Sequence, residues 1–289
     1  MRRRLSAGTC RLAWWGTVGL LSGVWLLCDG CATTPEPGLT GTEDAWPAAA
    51  SEPARARPAP GVPLSLDLGD GVEMPFVWVP ALTGWVGKHE VTNKAFRRFR
   101  ADHDSGGFSG GRTLNGDEQP VVQVSFEDAS AFAGWVAQGC AAQIPPGYVV
   151  RLPAGGEWQT FAQCGDGRAY PWGPAMPPRY GNYADEAAGR AFGADSWIFI
   201  KGYDDGYAAT CPVAESGRNE WGLYGVGGNV WEWTTERVND KYLLRGASWD
   251  DFGDGLCCRA TYEATPTHKH NLLGLRLVVL PAAGVLDTD

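Results

Sequence analysis

Gly228-Asn-Val-Trp-Glu-Trp233 and Leu244-Arg-Gly-Ala-Ser-Trp249 set three tryptophans beside glycines, and Gly274-Leu-Arg-Leu-Val-Val-Leu280 follows as an aliphatic run. No heptad or long helical period surrounds them. Rings of this size are then expected as buried pins of a loop-rich domain rather than as a surface platform for stacking sugars. Tyr242-Leu-Leu-Arg-Gly246 and Gly274–Leu280 read as two strands flanking a long loop.

Upstream, Pro75-Phe-Val-Trp-Val-Pro80, Trp85–Val91, Val121–Val124 and Val149–Leu152 read as short strands. Thr92 is expected to cap a helix over Asn93–Arg100, and Ser125 with Asp128 spells a capping box before Ala129, Phe132, Ala133 and Trp135. A short helix fits Gly156–Gln163. From Cys164 to Tyr224, glycine, proline, asparagine and aspartate predict loops. The composition agrees: of 289 residues, 40 are glycine and 14 tryptophan, with 44% hydrophobic and 20% charged. Those proportions exclude wholesale disorder, a helix bundle and a coiled coil. A net charge of −9 excludes nucleic acid as a partner, since phosphate binding needs a basic surface.

The amino terminus has its own logic. Met1-Arg-Arg-Arg4 is a basic opening and Leu12–Cys28 an apolar stretch suited to a signal peptide, with a membrane anchor as the alternative. Leu26-Leu-Cys-Asp-Gly-Cys31 resembles a bacterial lipoprotein cleavage box and makes Cys31 the lipidated residue. Residues 1–30 are therefore expected as a lipoprotein signal peptide, 31–62 as a disordered tether, 63–281 as the folded domain and 282–289 as a tail. The implied location is the cell envelope, at the outer membrane, with a lipid anchor as the membrane contact. The domain holds Cys140, Cys164, Cys211, Cys257 and Cys258, with no spacing that suggests zinc. In an oxidising compartment these predict one or two disulfides.

Nine short motifs then come in a telling order. They are Lys88-His-Glu-Val-Thr-Asn93, Pro120-Val-Val-Gln-Val-Ser125, Arg151-Leu-Pro153 with Glu157-Trp158, Tyr170-Pro-Trp-Gly173 and Gly181-Asn-Tyr-Ala-Asp185. Gly222-Leu-Tyr224, Gly228–Trp233, Leu244–Trp249 and Gly274-Leu-Arg276 complete the series. From about residue 63 to 281 the chain resembles the formylglycine-generating enzyme (sulfatase-modifying factor) family. The resemblance implies an α+β, C-type-lectin-like fold with little regular secondary structure.

Enzymes of that family oxidise a sulfatase cysteine to formylglycine with oxygen, using copper held by two cysteines. The resemblance places those positions at Asp251 and Gly253. Soft Cu(I) wants thiolates, a carboxylate is a poor substitute, and glycine offers no ligand. No catalytic residue is assigned and copper is not expected. Cys257 and Cys258 do not replace the pair, because adjacent side chains on an extended strand point apart. Cys258 instead falls at a disulfide-forming position of the enzymes, with Cys164 as its candidate partner. For structural calcium the resemblance implies a first set, Asn182, Tyr183, Asp205 and Tyr207, and a second, Gly227, Gly228, Val230 and Glu232; hard oxygen donors from loops suit Ca²⁺.

The function expected is that of an exported lipoprotein whose domain is non-catalytic and works in binding or envelope assembly, with an unidentified protein or glycan as ligand. Two alternatives stand beside it. One is a formylglycine-generating-type oxidoreductase acting on a protein cysteine. The other is a retroelement-diversified surface receptor whose ligand-facing loop carries Trp249, Asp250, Asp251, Phe252, His268 and His270. In Pro266-Thr-His-Lys-His270 the two histidines could also serve a metal, although such a pair more often lies on a solvated loop.

Overall fold

A computed structural model of the chain describes residues 58–195 and 197–282. Its elements are β1 (Leu64–Asp67), β2 (Glu73–Val79), β3 (Gly84–Gly87), α1 (Asn93–Phe96), β4 (Gly107–Phe108), β5 (Arg112–Thr113) and α2 (Phe126–Gly139). There follow β6 (Tyr148–Arg151), α3 (Gly155–Ala162), α4 (Glu186–Phe192), β7 (Trp231–Val238), β8 (Lys241–Arg245), β9 (Tyr262–Ala264), β10 (Leu273–Gly274) and β11 (Val278–Pro281). One sheet runs β1-β2-β3-β11-β6, a second runs β10-β7-β8-β9, and β4 pairs with β5 as a small ribbon. The expected signal peptide, Cys31 and most of the tether lie outside the described residues.

The last segment joins the two sheets. Leu273 and Gly274 pair in parallel with Trp231 and Glu232 of β7, and the chain then crosses over. Val278 and Val279 next insert between β3 and β6, antiparallel to both. The sequence had read Gly274–Leu280 as one strand. It is two, divided where Arg276 turns inward and is fully buried.

Local chemistry explains the helices. Ser125 Oγ accepts from the Asp128 amide at 3.1 Å while Asp128 Oδ2 accepts from the Ser125 amide at 3.0 Å, a complete capping box. The helix buries Ala129, Phe132, Ala133 and Val136 against the first sheet. Burying Phe132 and Val136 contributes about 1.5–3 kcal/mol each. Thr92 caps α1 through the Ala95 amide, but the helix ends at Phe96, short of Arg100, because Arg98 and Phe99 bond three residues back and tighten the turn. Val121–Val124 is buried yet forms no strand, since Gln123 takes a φ of +60° and breaks the extension. In the long loop, α4 went unread: Asp185 Oδ1 accepts from the Ala187 and Ala188 amides, an N-cap hidden among glycines and alanines.

Trp231, Trp233 and Trp249 are buried pins, as are Trp85 and Trp158. The expected disulfides are not made. All five described cysteines are free thiols; Cys164 points its sulfur at Glu220, 3.4 Å away, rather than at Cys258, which is buried beside Trp158 and Phe161.

Candidate functional site

After β8 the chain turns through Gly246 and Ala247, both at positive φ, and delivers Ser248 and Trp249 into the core. Asp251 follows. Its Oδ2 accepts three hydrogen bonds, from Trp231 Nε1 (2.8 Å), the Ser248 amide (2.8 Å) and Ser248 Oγ (2.6 Å). Its own carbonyl accepts from the Ala184 amide at 3.1 Å. Asp251 thus braces β7, the turn after β8 and the segment before α4. Gly253 opens a 3-10 turn at φ +65°, a conformation in which a side chain would be strained.

The expected ligand-facing loop divides in two. Trp249 is only 1% exposed and meets Phe108 edge to face at 4.8 Å, so it anchors the loop from below instead of facing a ligand. Asp251 is likewise turned inward. Phe252 stands 42% exposed, and Asp250 is half-buried, its carboxyl pushed up to about 7 by burial and by the Asp251 charge. His268 and His270 are half-buried, their rings stacked 6.1 Å apart.

The first calcium set comes together. Asp205 accepts from the Tyr183 amide (2.9 Å) through Oδ2 and from the Tyr207 amide (2.8 Å) through Oδ1. Burial, with the Asp185 carboxylate close by, pushes Asp205 up to about 7. Next to Tyr183, Asn182 donates to Ala209 O (2.9 Å) and Asn229 Oδ1 (3.0 Å). Its own Oδ1 is buried without a hydrogen-bond partner. An orphaned amide oxygen, and a desolvated carboxylate bonded to the amide of the next residue, are oxygen donors of the kind a hard cation takes.

The second set does not fit. Glu232 and Arg276 are both fully buried, and the guanidinium bonds both carboxylate oxygens at 2.6–3.1 Å while Trp158 Nε1 donates to Oε2 at 2.6 Å. Those contacts occupy the carboxylate, and the guanidinium repels any added cation. Val230 is a core side chain. At Gly228 an added Cβ would fall 2.0 Å from Asn182 O, so close backbone approach is what that glycine serves; Gly227 likewise lies against the Tyr183 hydroxyl. Sequence reasoning missed Glu90, buried near Arg276 and Glu232 with neither oxygen hydrogen-bonded, its pKa raised by desolvation. The Lys88–Asn93 motif was the available signal. Among the described residues no three His, Cys, Asp or Glu side chains converge as a metal site.

The profile of the sulfatase-modifying factor enzyme 1-like domain matches residues 77–280. The chain belongs to that family. Inactive C-alpha-formylglycine-generating enzyme 2 of Bos taurus is 36% identical over 172 residues, covering 55% of this chain and 50% of the relative. A formylglycine-generating enzyme of Thermomonospora curvata is 36% identical over 118 residues, covering 40% of this chain and 33% of its own. The chain spans about half the length, or less, of the curated relatives it matches. Among solved structures, Treponema denticola variable protein 1 superposes with a TM-score of 0.55 at 18% identity, covering 76% of this chain and 99% of that one. PvdO from Pseudomonas aeruginosa gives 0.51 at 17% identity, covering 76% and 92%. The sulfatase-modifying-factor domain therefore has the α+β, C-type-lectin-like fold that its motifs implied.

Proposed function

We propose that this domain is a non-catalytic member of its family, carried at the cell envelope as a lipoprotein and working by binding. The observation that carries the reading is Asp251. The resemblance puts it at the first copper-cysteine position, and its carboxylate already has three donors, while Gly253, which the resemblance puts at the second, offers no side chain. Two thiolates are what Cu(I) chemistry would need there. Cys258, five residues after Gly253, is buried, its thiol pushed up to about 12, which leaves it protonated at neutral pH. The identity to a relative named inactive supports the same reading.

In this proposal calcium staples the first loop set through Asn182 Oδ1 and the Asp205 carboxylate, with the Tyr183 and Tyr207 carbonyls completing the donors. The chain's own contribution is to hold those oxygens in place through the two amide bonds to Asp205. Copper titration of the protein with a sulfatase-derived cysteine peptide tests the central claim. No tight Cu(I) binding and no aldehyde are expected. Tight binding with aldehyde formation would overturn it in favour of a formylglycine-generating oxidoreductase.

A further inference from the structure

Asn229 lies fully buried just before β7, at a φ of +62° that asparagine tolerates better than most residues. Its backbone amide donates to Asn182 O at 2.7 Å, and its carbonyl accepts from the Trp249 amide at 3.1 Å. Its side-chain Oδ1 accepts from Asn182 Nδ2 and from the Cys211 backbone amide, each at 3.0 Å. Its Nδ2 reaches Cys211 O at 3.5 Å.

These contacts dictate which way the Asn182 amide is turned. A backbone N–H can only donate, so the Cys211 amide requires an oxygen at Asn229, and that oxygen in turn requires the NH2 of Asn182. The same NH2 donates to Ala209 O at 2.9 Å, which can only accept. Both protons are spent inside the core, and Oδ1 is the end of the amide left buried without a partner. The reverse orientation would set oxygen against oxygen at both contacts. Two residues on, the Ala184 amide donates to Asp251 O at 3.1 Å. The segment Asn182–Ala184 is thus bonded twice to the turn after β8, through Asn229 to Trp249 and directly to Asp251.

We propose that Asn229 is a positioning residue for the first calcium set and links its occupancy to the turn that carries Asp250 and Phe252. The link rests on the reading of Asn182 Oδ1 and the Asp205 carboxylate as cation donors. By turning the Asn182 amide, Asn229 presents an oxygen that a hard cation takes without first breaking a hydrogen bond. An amide held by a cation no longer swings, and the Asn229 backbone, bonded to Asn182 on one side and to Trp249 on the other, is held with it. Contiguous hydrogen-bonded groups of this kind carry energetic coupling between sites. Coupling in binding is reciprocal, so a ligand that binds the ordered turn better tightens calcium by the same factor.

The test titrates Ca²⁺ calorimetrically into the full chain stripped by chelator and follows hydrogen exchange of the Trp249 amide with and without it. Exchange at Trp249 should slow about tenfold or more on calcium loading, and Asp205→Ala should abolish that change. Asn229→Gly accepts the positive φ but frees the Asn182 amide, and should weaken calcium about tenfold or more, as loss of a supporting residue does at metal sites. Asn229→Asp keeps an acceptor in the same place and should hold the affinity. A residue that only filled space would shift the calcium-free melting curve and leave the calcium affinity of the folded chain alone. The comparison of the parent with Asp205→Ala needs no change at Asn229, so it decides the link even where Asn229→Gly fails to fold. Calcium binding with unchanged exchange at Trp249, or with parent affinity in Asn229→Gly, would overturn the link and leave the calcium reading standing. No saturable Ca²⁺ binding to the parent chain would overturn both.

Discussion

At residue scale, Asp251 holds together three parts of the chain with one carboxylate and one carbonyl. A carboxylate accepting from Trp231 Nε1 and twice from Ser248 ties the turn after β8 to β7. Truncation strands those donors, and an unsatisfied buried donor costs about 1–3 kcal/mol. Asp251→Ala should therefore lower the melting temperature by several degrees, at about 2–4 °C per kcal/mol for a domain of this size. Calorimetry checks it; an unchanged melting curve would mean that the brace is incidental. Its neighbour Asp250 gives a pH signature. The folded-state value of about 7 lies above the ordinary 3.8, so between those values the folded chain holds a proton that the unfolded chain has lost. Stability should then fall as pH rises from about 4 to about 7, with a slope of up to about 1.4 kcal/mol per pH unit from this group. Asp250→Asn should flatten that slope in denaturant titrations across the window; an unaltered slope would place the proton elsewhere.

At the scale of elements, the informative segment is the long loop that holds α4. It carries the first calcium set and has little regular structure apart from that one helix. A cation bound only by the folded state adds about 2.7 kcal/mol at a hundredfold excess over Kd. Chelation should thus lower the melting temperature by several degrees, at about 2–4 °C per kcal/mol. Asp205→Ala should remove that dependence, whereas Asp204→Ala should keep it, because Asp204 pairs on the surface with Arg190 at 2.7 Å. Scanning calorimetry with and without chelator decides the matter. Identical curves in a metal-free preparation would leave these loops to hydrogen bonds alone.

At the scale of the whole molecule, Arg276 and Glu232 join the two sheets. The pair is completely buried, and Arg276 also donates to Gly87 O (2.9 Å) and Tyr224 O (2.7 Å). Three regions distant in sequence, around Gly87, Tyr224–Glu232 and Arg276, are thereby locked together by one guanidinium. The remaining prediction concerns how the molecule is held in place. No described helix is long and apolar enough to cross a membrane, and the proposed anchor is the acyl chain on Cys31. Cys31→Ser should move the protein from the membrane to the soluble fraction on cell fractionation. A variant that stays membrane-bound with its first thirty residues uncleaved would identify that segment as a spanning anchor instead.

Much of this was already written in the chain. The capping residues Ser125 and Thr92, the strands at β2 and β6 and the burial of the tryptophans follow from local rules, in which each residue's geometry depends on near neighbours. Motif order carried the family and the fold. Other features had no local cause to read. Whether Glu232 meets a metal or a guanidinium depends on Arg276, 44 positions away. That Gly274–Leu280 serves two sheets depends on β3, β6 and β7 all being in place. That Phe108, from the small ribbon, is what meets the Trp249 ring depends on another part of the chain. Burial, charge pairing and the desolvation of Asp250 and Glu90 are properties of surfaces brought together by folding. The sequence alone therefore determined the caps, the pins and the family, and the tertiary structure decided which polar groups were left without a partner.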